Sequence, residues 1–261
     1  MEILSIEYML GTFLIFVRVS SLILSAPYFS SAAFPAQIKI FFALITSILL
    51  YPVVPAESIV IPADAGFLYV GTTIFIEALI GISFGLVGQL VFAGLEMAGR
   101  LISLKIVLGF ASVVDTMTQQ QSTAISSLFN MLAILVFLAI EGDKIYLNAL
   151  AQSFEVLPLG EANVHLAGPF MTDIALYIFL IAVQISAPFI VVLFLLDLAL
   201  AIFARIMPQA NIMFIALPIK LGVGFILLYF VAPYLPTAFT MMLQQLFDYL
   251  QNLMEILVQW Q

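Results

Sequence analysis

Six apolar blocks, set apart by short polar connections, restrict what this chain can fold into: Ile6–Ala26, Ile38–Val54, Phe67–Leu95, Thr123–Ile140, Phe170–Phe203 and Ile212–Tyr234. A helix needs about 20 apolar residues, at roughly 1.5 Å of rise each, to cross the hydrocarbon of a bilayer. Most of the blocks reach that length. Ile38–Val54 is short at 17 residues, and Thr123–Ile140 has 18. Only 8% of the residues are charged and the mean hydropathy is +1.24, whereas a soluble domain carries roughly 25% charged residues. So few charges cannot cover a globular surface. The expected fold is an all-α membrane protein, or a chain buried on every side by partners.

Composition also removes whole classes of chemistry. There is no cysteine, so disulfides and thiolate metal sites are excluded, and a single histidine, His165, argues against a histidine-based metal centre. The net charge of −8 comes mostly from connections and ends, with no basic patch to hold phosphates, so no nucleic-acid partner is expected. The first block is expected to stay in the mature protein: the N-terminus carries Glu2 and Glu7, and no basic residue occurs before Arg18. No HExxH or P-loop pattern is present. No enzyme, metal or cofactor is expected.

The chain is organised around Glu96–Ile125, which lies between two apolar blocks and holds Glu96, Arg100, Lys105 and Asp115. A polar run without charge follows: Thr116, Thr118, Gln119, Gln120, Gln121, Ser122 and Thr123. Irregular backbone is tolerated at membrane depth only where protein or a water-filled cavity surrounds it. The stretch is therefore either a loop at the membrane surface or a segment folded into a protein-lined passage. The connections Pro55–Gly66 and Glu141–Pro169 are acidic. With six conventional spans and both termini outside, Lys39, Arg100, Lys105 and Arg205 fall on the cytoplasmic side, as the positive-inside rule prefers.

Charges inside apolar blocks need a partner or a polar cavity, because each is costly by at least about 2.5 kcal/mol. Arg18 and Glu77 lie at similar depth in blocks that run the same way, so an ion pair is one reading. In the other, Arg18 bonds backbone carbonyls and Glu77 meets a different subunit. Asp197 and Lys220 fall about 3 Å apart in depth if the last two blocks form an antiparallel hairpin turning at Pro208–Asn211. Gly81 and Gly85 form a GxxxG pattern, followed by Gly88, Gly94 and Gly99, which suits close helix packing. In the tail, Leu243, Leu246, Phe247, Leu250, Leu253, Met254 and Leu257 recur at helical spacing. The opposite face lacks lysine and arginine, so it fits a partner helix or the protein's own bundle better than an anionic membrane surface.

Three stretches carry a resemblance that covers essentially the whole chain: Arg18–Leu44, with an intrahelical arginine, a proline-bounded turn and a lysine; Glu77–Ser122; and Phe203–Phe225. In this order they resemble the FliR/SctT family of flagellar and virulence type III export-gate proteins. The resemblance implies a subunit that joins FliP-like and FliQ-like subunits in a helical assembly around a pore for unfolded flagellar proteins. It places the assembly in the bacterial inner (cytoplasmic) membrane at the flagellar basal body, alongside FlhB-like and FlhA-like components. It further implies a FliP-like part over residues 1–169, with a pore loop at 100–123, and a FliQ-like hairpin plus amphipathic helix over 170–261. Carried onto this chain, Gly109, Phe110, Val113, Asp115, Gln119, Gln120 and Gln121 become candidates for a pore plug. Arg18, Glu77, Asp197, Arg205 and Lys220 become candidates for packing or assembly. The alternative is a secondary transporter, since proline-broken helices with buried charges also mark midplane binding sites.

Overall fold

A computed structural model describes residues 6–27, 29, 35–55, 66–106, 123–160, 167–209 and 212–258. Its helices are α1 (Ile6–Ser25), α2 (Ala36–Leu50), α3 (Phe67–Ile106), α4 (Ala124–Ala139), α5 (Gly142–Val156), α6 (Ala167–Ile206), α7 (Ile212–Val231) and α8 (Leu235–Val258), with a 3-10 turn at Ala232–Tyr234. No strand occurs among the described residues. The all-α membrane fold expected from composition is what the structure shows.

Each long helix buries one stripe and leaves apolar side chains on the rest of its surface. On α3 the stripe is Glu77, Ile80, Phe84, Val87, Val91, Leu95, Ala98, Ile102 and Ile106, stepping by three or four residues. On α6 it is Ile174, Ile178, Ala182, Ser186, Phe189 and Leu193. Outside these stripes Phe75, Leu104, Phe179, Leu180, Phe194, Leu195 and Ile202 are exposed. A soluble protein does not leave apolar surface of that extent open to water. Lipid or partner helices suit it.

The six-span reading does not hold. Among the described residues three helical stretches are long and apolar enough to cross a membrane: Phe67–Ile106, Ala167–Ile206 and Phe214–Val258. A fourth arises if α4 and α5 count as one broken span, while Met9–Ser25 and Ala36–Leu50 are shorter. The orientation argument, which assumed six spans, loses its premise. The discrepancy comes from helices that ignore the block boundaries. α3 and α6 are 40 residues each, about 60 Å, or twice the hydrocarbon thickness. α6 runs on through Pro188, although the proline ring removes the N–H that would bond the Gln184 carbonyl.

Two boundaries need correction. The expected loop at 100–123 begins as helix: α3 continues through Ile106, with the Arg100 guanidinium donating to Glu96 one turn back at 2.7 Å. Ile102 and Ile106 extend the buried stripe, and no glycine or proline intervenes to stop it. Second, the acidic connection after Ile140 contains α5, which buries Tyr146, Ala149, Leu150, Ser153 and Phe154. Its charges Asp143, Lys144 and Glu155 hid that face from a hydropathy reading. The break before it falls at Glu141, a non-glycine residue at φ 58°.

The chain forms two compact units from interleaved segments. One comprises Met1–Val91, Glu141–Ala175 and Leu243–Gln261; the other comprises Phe92–Ile140 and Leu176–Met242. In the tail, Leu243, Leu246, Leu250, Leu253, Met254 and Leu257 of α8 are buried, with Gln244, Asp248, Gln251, Asn252 and Glu255 exposed. Of the two readings of the tail helix, packing into the protein's own bundle is the one realised.

Candidate functional site

In the first unit, α1 and α3 approach closely at the GxxxG pattern. A Cβ built on Gly81 would collide with the Arg18 carbonyl and the Ser21 hydroxyl, and would sit 3.0 Å from the Leu22 nitrogen. One turn along, a Cβ on Gly85 would lie 2.8 Å from the Ala26 nitrogen. Lipid supplies no hydrophobic force between helices, so such close backbone contact is itself a main source of cohesion. It also brings Glu77, one turn before Gly81, level with Arg18.

The two charges form an ion pair that is fully buried on both sides. Arg18 Nε donates to Glu77 Oε2 at 2.6 Å, and Nη2 donates to Oε1 at 3.1 Å. Nη1 donates to the Ser153 carbonyl and to Ser153 Oγ, both at 3.1 Å, and Nη2 reaches the Leu157 carbonyl at 3.2 Å. These bonds use all five guanidinium protons. The Phe154 ring lies 4.2 Å below the guanidinium carbon, a cation–π contact in a desolvated setting. Ser153 and Leu157 stand at the C-terminal end of α5, where a cation complements the partial negative charge of the helix terminus.

Glu77 is held from a further direction. The Gly160 N–H donates to Oε1 at 2.9 Å. Gly160 has φ +81°, a conformation open to glycine without strain, and it follows Pro158-Leu159 in a turn. The cluster thus ties together α1, α3, the end of α5 and the turn after it. An apolar crevice of about 10 Å³ lies beside it, lined by Leu10, Leu14, Tyr69, Val70, Thr73 and Leu159. That is room for about one water and not for a transported solute.

In the second unit, Lys220 of α7 and Asp197 of α6 form an ion pair, with side-chain exposures of 19% and 41%. The hairpin register worked out from the turn at Pro208–Asn211 predicts this proximity. Arg205 lies in the last turn of α6 and is exposed. The plug candidates Gly109, Phe110, Val113, Asp115, Gln119, Gln120 and Gln121 lie outside the described residues, as does His165.

The residues that flank 107–122 are packed against neighbouring helices. Ile106 is fully buried, and its side chain is the nearest neighbour of Gly224 on α7, where a Cβ would lie 2.6 Å from Ile106 Cγ1. Across from α3, Thr123 caps α4. The Thr123 N–H donates to Ser126 Oγ at 2.8 Å, and the Ser126 N–H donates to Thr123 Oγ1 at 3.3 Å, the reciprocal arrangement of a capping box. The Ser103 and Thr123 hydroxyls are hydrogen-bonded at 2.6 Å. Gly99 admits this approach, since a Cβ there would lie 2.7 Å from Ser126 Cα.

Several of these residues have little signature in the sequence. Pro158-Leu-Gly160 reads as a turn, and Thr123-Ala-Ile-Ser126 reads as a weak helix cap. Nothing marks Ser153 or Leu157 as ligands of Arg18, because the bonds join residues 135 and 139 positions apart. Among the described residues, no group of three or more histidine, aspartate or glutamate side chains could hold a metal.

The profile of a protein family described as bacterial export proteins, family 1, matches residues 9–246. The chain is 31% identical over 241 residues to the flagellar biosynthetic protein FliR of Pectobacterium carotovorum subsp. carotovorum, covering 92% of this chain and 90% of that protein. It is 30% identical to the protein of the same name from Escherichia coli (strain K12), covering 91% and 90%. It is also 30% identical to that from Bacillus subtilis (strain 168), over 219 residues, 82% and 83% of the two chains.

Proposed function

The chain belongs to the bacterial export proteins, family 1, and from that membership we propose that it is a structural and gating subunit of the flagellar type III export channel. It is a membrane component of flagellar export. The finer reading is that it assembles with FliP-like and FliQ-like subunits around the pore that passes unfolded flagellar proteins across the bacterial inner membrane. FlhA-like and FlhB-like components adjoin the assembly at the basal body. Residues 1–169 take the FliP-like position and 170–261 the FliQ-like one. The role requires no catalysis and no cofactor.

The observation that carries this reading is a match spanning residues 9–246 to a family of export proteins, with relatives named for flagellar biosynthesis aligned along most of both chains. Two physical features support it. Helices of 40 residues are too long for a simple span and suit a protein extended within a larger assembly. Apolar surface left on α6 and α7 suits neighbouring subunits as well as lipid. The transporter alternative draws no support from the buried charges: Arg18 and Glu77 are engaged with one another and with backbone groups, leaving no free polar pair for a solute.

The test is the mass of the purified particle. The chain is produced with and without its FliP-like and FliQ-like neighbours and weighed by native mass spectrometry. One copy of this chain within a large particle containing several of each neighbour is expected. A stable monomer or homodimer that ignores both overturns the reading. Within the assembled particle, Gly109, Phe110, Val113, Asp115 and Gln119–Gln121 act as the plug, with apolar groups closing the passage and polar ones facing it when wet. Deleting residues 110–121 is expected to leave assembly intact and make the membrane leaky to small solutes. An equally tight membrane would remove the plug role.

A further inference from the structure

The geometry points to a fixed clamp at the base of residues 107–122, built from Ser103, Thr123 and Ser126 and seated on Gly99. We propose that these are positioning residues that hold the ends of α3 and α4 together throughout transport, so that any change in the intervening segment occurs between ends that do not part. Three observations carry this. Ser103 and Ser126 are fully buried and Thr123 is 8% exposed, so their hydroxyls have no water to turn to. They bond one another: Ser103 to Thr123 at 2.6 Å, Thr123 to Ser126 at 3.1 Å, with Ser126 Oγ donating to the Thr123 carbonyl at 2.8 Å. Parting the helices would strand buried hydroxyls in apolar surroundings. Finally, Gly99 lets the Ser126 backbone lie against α3, and Ile106 seats the last described turn of α3 on Gly224. The two ends that flank the segment are thus each held by contacts among described residues of α3, α4 and α7.

The alternative is that the base opens with each transport event. The absence of cysteine in this chain makes the two separable. In the full export complex, Ser103→Cys and Thr123→Cys are introduced together and oxidised with a diazene oxidant. The oxidant takes two electrons and two protons from the thiol pair as the S–S bond forms. Thiol labelling measures the bond, with each single cysteine variant as control. We expect ready closure of the disulfide and export of flagellar subunits unchanged by it. Export blocked on oxidation and restored by reductant would overturn the clamp, and so would thiols that fail to pair in the assembled complex.

A second arm rests on the plug reading of 107–122. Thr123→Val removes the hydroxyl while keeping the shape, and Thr123→Ser keeps the hydroxyl. The valine variant is expected to assemble normally and raise the resting leak of small solutes about tenfold, with serine restoring the tight state. A valine variant as tight as the parent overturns the positioning role if the 110–121 deletion leaks. If that deletion is itself tight, the plug reading fails instead, and the disulfide arm still decides the clamp.

Discussion

The two ion pairs differ in where their partners come from and in what surrounds them. Arg18–Glu77 is sealed, joins three separate pieces of chain, and has every guanidinium proton bonded. Asp197–Lys220 links two helices that follow each other in sequence, with Asp197 41% exposed. A sealed pair cannot be read or exchanged by another subunit, so its consequences fall on the fold of this chain. A pair at the surface of a hairpin can be covered or contacted by a neighbour, so its consequences fall on assembly. The same chemistry serves different ends because desolvation differs.

The largest effect is expected from Glu77→Ala. Removing one member of a buried pair leaves the other charge uncompensated, at about 3–5 kcal/mol, against a total stability of about 5–15 kcal/mol for a typical domain. The variant should fail to accumulate in the membrane, measured as the amount of protein in the membrane fraction. Arg18→Lys, with Glu77 kept, is expected to accumulate poorly as well, since an ammonium group cannot reproduce a planar fork engaged with a carboxylate, a hydroxyl and two carbonyls. Normal accumulation of Glu77→Ala would collapse the distinction between the two pairs.

Lys220→Glu comes next. Placing two carboxylates together on the hairpin should leave the chain in the membrane while abolishing its recovery in the export particle. The exchanged pair Asp197→Lys with Lys220→Asp should recover a good part of it. A fully functional Lys220→Glu protein would sink the assembly role. Loss of the chain itself, rather than of assembly, would mean that the hairpin pair behaves like the sealed one.

The depth argument that brought each pair together needed only block positions and helical rise, which is why Arg18 with Glu77 and Asp197 with Lys220 were both legible in the sequence. The close approach at Gly81 was legible for the same reason: small residues at fixed spacing have one common use between helices. Ser153, Leu157 and Gly160 were not legible as partners of the buried pair. They act through backbone groups, which every residue has, and they reach Arg18 and Glu77 by long-range packing. The extent of α3 was misjudged because Glu96, Arg100 and Lys105 look like a surface connection. An i, i+4 pair and a continuing buried stripe carry the helix through them. α5 was missed for a related reason, since its charged face lowers the average hydropathy of a segment whose other face is buried.

The smallest effect is expected at a third pair, and it fixes the lower end of the scale. Lys144 donates to Glu141 at 2.8 Å, three residues apart at the start of α5, with side-chain exposures of 62% and 64%. Neither charge is desolvated, and exposed pairs of this kind gain little because solvent and salt screen them. Glu141 also occupies a left-handed backbone position at φ 58°, so replacing it would mix a backbone effect with the loss of charge. Lys144→Ala isolates the pair. It should leave membrane accumulation, particle recovery and flagellar export indistinguishable from the parent. If Lys144→Ala reduces particle recovery while accumulation holds, this exposed charge meets another subunit, and exposure in the isolated chain would then mark assembly sites at both pairs outside the sealed cluster.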